Sequence, residues 1–198
     1  EGPPAADQVD VQIADPDLAA KLREGRTDEI RHCIRLNQGC LGRTARGAPM
    51  SCTVNPVAGR ELVLGPRPAA RAAQRWLVVG GGPAGMRAAV ELAADGHTVT
   101  LIESAARLGG QLRLASRVPG RESVGLLIAD LERDLRSAGV EVRLGARVDA
   151  EMIAAEAADG IVLATGAGAP RGTSLALGGA YAGGLADGRT VDAFTALA

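Results

Sequence analysis

Trp76-Leu77-Val78-Val79-Gly80-Gly81-Gly82-Pro83-Ala84-Gly85 is the stretch on which the fold turns. A short apolar run from Trp76 to Val79 ends in glycines, and an Ala-rich segment from Ala84 to Ala94, closed by Gly96, follows with helical character. Gly80, Gly82 and Gly85 therefore occupy the three glycine positions of GxGxxG between a strand and a helix. There the first glycine permits a tight turn, the second lets backbone approach a pyrophosphate, and the third lets helix pack closely on strand. The helix start at Pro83 and Ala84 would offer unbonded N–H groups and the positive end of its dipole to phosphates. A plain turn is the competing reading, because the chain contains 27 glycines. Glu103 weighs against it. This carboxylate ends the next apolar run, Val99 to Ile102, and stands where an acidic side chain accepts hydrogen bonds from ribose hydroxyls.

Further along, Val124, Leu127, Ile128, Leu131 and Leu135 repeat at helical spacing. Val140, Val142 and Leu144 alternate as a half-buried strand, and Ile161 to Ala164 supplies another. Strands alternating with helices give a parallel sheet covered on both faces. The fold class is therefore α/β, a Rossmann-like doubly wound parallel sheet, with an irregular cysteine-containing extension at its amino-terminal side. Four segments follow: residues 1–60, a connector over 61–74 rich in Pro, Ala, Arg and Gly, the nucleotide-binding domain over 75–170, and a tail over 171–198 of undetermined fold. Residues 1–60 contain one short helical pattern, Asp17 to Glu24, capped by Asp15 with Pro16 at the first helical position.

With 22 basic and 23 acidic side chains the net charge is −1, so no overall field draws the chain to nucleic acid or anionic lipid. One Trp, one Tyr and one Phe provide no stacking platform for bases. No segment approaches the roughly 18 uninterrupted apolar residues of a membrane span, and no basic patch followed by an apolar stretch opens the chain. A cytoplasmic protein that binds neither membrane nor nucleic acid is expected. Cys33, Cys40 and Cys52 suit a metal site or reduced thiols better than a disulfide framework.

Two more motifs carry a resemblance. Leu108-Gly109-Gly110-Gln111-Leu112 resembles the segment beside FAD in two-dinucleotide flavoprotein oxidoreductases, and Ala164-Thr165-Gly166 resembles the ATG motif that closes over the cofactor there. Added to Ala14-Asp15-Pro16-Asp17-Leu18, Lys21-Leu22-Arg23-Glu24-Gly25-Arg26, Asn37-Gln38 and Cys52-Thr53-Val54-Asn55-Pro56, they make residues 14 to about 170 similar to part of the Old Yellow Enzyme family. The similar region lies between barrel and dinucleotide domain in the 2,4-dienoyl-CoA reductase and trimethylamine dehydrogenase branch. In that family a TIM barrel carries FMN and substrate, a 4Fe-4S cluster relays electrons, and FAD with NADPH, or a bare ADP, occupies the following domains.

The resemblance implies FAD, with ADP as the alternative, held by Gly80, Gly82, Pro83, Ala84, Gly85, Glu103, Gly110, Gln111, Arg121, Val148, Thr165 and Gly166. Arg121 would be a phosphate or ribose partner or else a surface arginine, and Val148 would act through its backbone or as a core residue. The chain also departs from the family. Almost all of the barrel has no counterpart, Asp10 stands where an Arg would meet the FMN phosphate, and like charge would repel a phosphate there, so no FMN is expected. No second GxGxxG follows position 170, so an NADPH domain is not expected either. The family's ligand pattern C-x2-C-x3-C-x11-C is met by Cys33, Cys40 and Cys52, but its second position is Leu36. Three thiolates could hold a three-iron cluster, or a four-iron cluster with an outside ligand, or remain idle thiols; His32 is a weaker substitute. The functions implied are an oxidoreductase fragment or subunit that moves electrons between FAD and a partner centre, or a non-catalytic FAD/ADP-binding module or decayed remnant. Partners would be an FMN-barrel subunit or further copies of the chain. Turnover by the chain alone is not expected.

Overall fold

The computed structural model describes residues 11–65, 70, 72–167 and, as backbone, 190–192. In chain order the elements are α1 (Leu18–Arg23), a 3-10 turn (Thr27–Glu29), α2 (Leu41–Thr44), α3 (Glu61–Leu64), β1 (Arg75–Val79), α4 (Pro83–Ala94), β2 (Thr98–Glu103), α5 (Leu112–Ala115), α6 (Val124–Ser137), β3 (Glu141–Leu144), α7 (Ala150–Glu156), β4 (Gly160–Leu163) and β5 (Thr190–Asp192). They fall into two compact units, each discontinuous in sequence: Glu1–Ala69 with Gln111–Ser137, and Ala70–Gly110 with Ala138–Ala198. The helix over 124–137, which a reading along the chain counts within 75–170, thus groups with the cysteine segment.

The second unit is a five-stranded parallel sheet in the order β3-β2-β1-β4-β5. The expected doubly wound class is what forms, and β5 adds a strand to the tail whose fold the sequence left open. Residues 168–170, and 171–189 and 193–198 of that tail, lie outside the described residues, as does Asp10. The central strands β1 and β4 are apolar because both faces are covered. Leu77, Val79, Ile102 and Ile161 form one buried cluster, against which Val148, Met152 and Ile153 pack. Val78, Leu101 and Val162 are buried too, as are Met86, Ala88 and Ala89 of α4, which packs on β1 and β2. Fully burying a Val, Leu, Ile or Met side chain contributes about 1.5–3 kcal/mol. Trp76 pairs with Gly160, where an added Cβ would lie 2.5 Å from the indole ring, so glycine makes room for the ring. β3 is an edge strand, which is why Leu144, expected to be half-buried, is exposed.

In the first unit, Ala14, Ile34 and Val54 form a buried cluster with Cys33, Leu36, Cys52 and Leu127 packed on it. The early helix differs from the expectation. It spans Leu18–Arg23, and Asp15 does not cap it from the adjoining position. Instead Asp15 is buried and its carboxylate accepts from Lys21 Nζ at 2.7 Å, the Arg31 N–H at 2.8 Å and the Asp17 N–H at 3.1 Å. Burial raises this carboxyl's pKa, but the Lys21 contact and the two backbone donors outweigh it and hold the group below its ordinary value. Among the described residues no helix is long and apolar enough to cross a membrane.

Candidate functional site

The glycine loop sits at the carboxyl end of β1. Its first glycine, Gly80, has φ +112°, and its N–H donates to Ile102 O at 2.8 Å. A side chain there would collide with the carbonyl oxygen of Ala164, at the end of β4. Gly85 is closed from the other direction, since an added Cβ would meet the Gly80 carbonyl oxygen and lie 3.1 Å from Ala164 Cβ. These two glycines serve the packing of strand, turn and helix. Gly82 differs: among the described residues beyond its chain neighbours, no atom lies within 4 Å of where its Cβ would be. The loop backbone is bare on that side, which is the condition for a ligand to touch it.

Gly82 is also the N-cap of α4, with no side-chain cap, Pro83 in the first turn and no acidic residue there. The leading N–H groups of a helix have no intrahelical acceptor, and with no competing cap they and the dipole suit a diphosphate. Beside the loop, Glu103 ends β2 as expected. Its carboxylate accepts from the Gly81 N–H at 2.6 Å, the Ala105 N–H at 2.7 Å and Ser104 Oγ at 3.0 Å. Partial burial raises its pKa, yet these donors prevail and hold the carboxyl below its ordinary value, so it is ionised near neutrality. An ionised carboxylate has about four acceptor positions, so a ribose hydroxyl can share it or displace the rotatable Ser104 hydroxyl.

Two residues outside the expected set complete this geometry. An added Cβ at Gly81 would lie 2.5 Å from Leu108 Cδ2 and 2.9 Å from Glu103 Cβ, so the variable position of the motif also needs glycine here. Gly109, at φ +106°, donates its N–H to Gly81 O at 2.7 Å. The Leu108-Gly109-Gly110 turn thus docks on the glycine loop, and a Cβ at Gly110 would lie 3.2 Å from Gly82 Cα. The abundance of glycine hid Gly81; only the buried Leu108 in contact with it reveals the requirement.

Gly80, Gly82, Pro83, Ala84, Gly85, Glu103, Gly110, Val148, Thr165 and Gly166 all belong to the sheet unit. The Ala164 N–H donates to Val79 O at 2.8 Å, which sets Thr165 and the left-handed Gly166 just past the end of β4. Val148 packs on the sheet core, in the same stretch as Ala146, whose N–H donates to Glu103 O at 3.1 Å. Gln111 and Arg121 belong to the other unit: Gln111 caps α5, its carbonyl accepting from Leu114 and Ala115 N–H groups at 3.1 Å, and Arg121 is exposed.

Cys33, Cys40 and Cys52, expected as metal ligands, are half-buried thiols. Among the described residues no three His, Cys, Asp or Glu side chains converge on a common point. His32 is engaged elsewhere, its Nδ1 lying 2.8 Å from Asp130 Oδ1.

Comparison with known proteins agrees with this geometry. Residues 78–148 match the NAD(P)-binding Rossmann-like domain family. An NADH oxidase of Thermoanaerobacter brockii is 50% identical over 155 residues, 78% of this chain and 24% of the relative. Among solved structures, a 2-naphthoyl-CoA reductase in complex with 2-naphthoyl-CoA superimposes with a TM-score of 0.79 at 35% identity, over 82% of this chain and 25% of the other. Histamine dehydrogenase from Rhizobium sp. 4-9 gives 0.75 at 31% identity, over 81% and 25%. The chain spans about a quarter of the length of the curated relatives it matches.

Proposed function

The chain is homologous to the flavin-dependent oxidoreductases of the broad Old Yellow Enzyme and dienoyl-CoA reductase-like family, and from that premise we propose that it binds FAD through the glycine loop and Glu103. The observation that carries the reading is the bare outer side of Gly82 at an uncapped helix start, beside an ionised Glu103. Gly82, Ala84 and Gly85 would hold the diphosphate by backbone N–H groups, and Glu103 would accept the adenosine ribose hydroxyls. Thr165 and Gly166, with Gly110, would border the rest of the cofactor within the sheet unit. When bound, the flavin supplies acceptance of two electrons and their release one at a time. The chain's residues bind and orient it and keep the loop closed by the Gly109-to-Gly81 hydrogen bond.

Electrons would pass between this FAD and a centre on a partner, an FMN-bearing barrel chain or a second copy, with reduction of any enoyl or dienoyl substrate depending on that partner. A second reading has a specific basis: the loop, the helix start and Glu103 address diphosphate and ribose, which FAD and ADP share. One experiment separates the two. The purified chain is denatured and its released ligand identified by chromatography and visible absorption. FAD with a yellow protein is the expected result; a colourless chain that releases ADP establishes the binding module, and a chain that carries and takes up neither nucleotide overturns both.

A further inference from the structure

In the resemblance described above, positions 33, 36, 40 and 52 are the four ligands of an iron-sulfur cluster, and the residues present do not fit one. Leu36 offers four carbons and no lone pair. Together with Cys33 and Cys52 it packs on the buried side chains of Ala14, Ile34 and Val54, so the place of the second ligand is filled by apolar contact. The Cys40 thiol lies 3.8 Å from Asn37 Oδ1, and among the described residues no three potential donors converge.

The loop nevertheless keeps a tightly wound course. Arg35 and Asn37, on either side of Leu36, have φ of +56° and +57°, and the Arg35 N–H donates to Cys33 Sγ at 3.4 Å. Asparagine tolerates the left-handed region, whereas arginine does so only under constraint. The constraint comes from named contacts. Asp130, buried on α6, accepts from the His32 N–H at 2.8 Å and from Arg133 Nη1 at 3.1 Å, and it lies 2.8 Å from His32 Nδ1. Arg133 Nη1 also donates to the carbonyls of Asp28 at 2.9 Å and Ile30 at 3.2 Å. Ser123 Oγ donates to Ile34 O at 3.0 Å.

We infer that the segment from Cys33 to Cys52 holds no iron-sulfur cluster, that Leu36 is the residue that closes the site, and that the Asp130–His32–Arg133 clamp and the Leu36 apolar contact fasten the segment in the cluster's stead. This inference is independent of the nucleotide reading. A chain that binds FAD and also takes up stoichiometric iron, or one that binds neither, separates the two.

The test uses the whole chain, treated without oxygen with ferrous iron and sulfide and then desalted. Iron and acid-labile sulfide are measured together with the melting temperature with and without a strong chelator. The parent is expected to retain no stoichiometric iron, to stay free of brown absorption and to melt at the same temperature in chelator. Leu36→Cys is expected to become brown and to hold about four irons, since the new thiol, on one cluster of side chains with Cys33 and Cys52, would complete with Cys40 the four-thiolate pattern of the resemblance. Asp130→Asn and Leu36→Asn are each expected to lower the melting temperature by several degrees without any change in iron content. Stoichiometric iron in the parent, a melting temperature that falls with chelator, a Leu36→Cys chain as iron-free as the parent, or a parent-like melt for both asparagine variants would each overturn the inference.

Discussion

Replacing Gly82 by alanine distinguishes a ligand cradle from an ordinary turn. The residue has φ −73° and ψ 176°, extended backbone that alanine adopts without strain, and among the described residues beyond its chain neighbours the new methyl would meet no atom within 4 Å. Two small and opposed effects remain in the unliganded chain. Loss of glycine at the helix N-cap costs several tenths of a kcal/mol, and stiffening the unfolded chain returns about 0.4–1 kcal/mol. The net change stays within about 0.5 kcal/mol, a shift of no more than about 2–4 °C in melting midpoint. Binding responds differently, because the methyl occupies the side from which a diphosphate must approach. Forfeiting one or two hydrogen bonds to a charged group, each about 1.5–3 kcal/mol, lowers affinity for ADP or FAD by roughly 10-fold or more. Gly85→Ala supplies the contrast: its methyl collides with the Gly80 carbonyl, so it destabilises the chain by about 1–3 kcal/mol before any ligand is added. Calorimetric titration with ADP and thermal melts read both quantities. Parent-like affinity in Gly82→Ala, or a melt as low as that of Gly85→Ala, would refute the reasoning.

Glu103→Ala is expected to weaken FAD or ADP binding by roughly 10- to 100-fold, measured by the same titration, because it removes a hydrogen-bond acceptor that carries charge. The carboxyls of Glu103 and Asp15 are both held below their ordinary values of 4.5 and 3.8. Their stabilisation is fully present above those values and lost as pH falls through the lower folded ones, so melting temperature should be level near neutrality and drop below about pH 4. Asp15→Ala removes the buried acceptor of the half-buried Lys21 Nζ, which keeps only the Glu29 carbonyl, and of the Arg31 N–H, and should cost about 1–3 kcal/mol in denaturant unfolding at neutral pH. Arg35→Gly, at φ +56°, should instead stabilise the chain by up to about 1 kcal/mol in the same measurement.

The sheet was legible because its signals are local. Apolar runs ending in glycine or in Glu103 gave β1, β2 and β4 within a residue or two, and α4 was marked by its glycines and proline. Long-range partners left no such mark. Asp15 before Pro16 reads as a helix cap, and only the folded chain brings the Arg31 N–H to it across sixteen residues. Asp130 interrupts an otherwise regular apolar face of α6, and its burial depends on His32 and Arg133, one of them ninety-eight positions away. α7 escaped notice for a different reason. It has only seven residues, Ala150–Glu156, and its start is fixed by Asp149, whose side chain accepts from the Met152 N–H at 2.8 Å. The candidate nucleotide residues were legible at Gly80, Gly82, Gly85 and Glu103, whereas Gly81 and Gly109 required the Leu108 contact and the Gly109-to-Gly81 hydrogen bond.

The most direct test of the account is a calorimetric titration of the nucleotide-depleted chain with FAD. The glycine loop and Glu103 predict saturable binding of one FAD per chain with a Kd on the order of 1 μM or tighter, equivalent to about 8 kcal/mol, and competition by ADP for the same site. A response that does not saturate at FAD concentrations of about 1 mM, the range of about 4 kcal/mol, would contradict it.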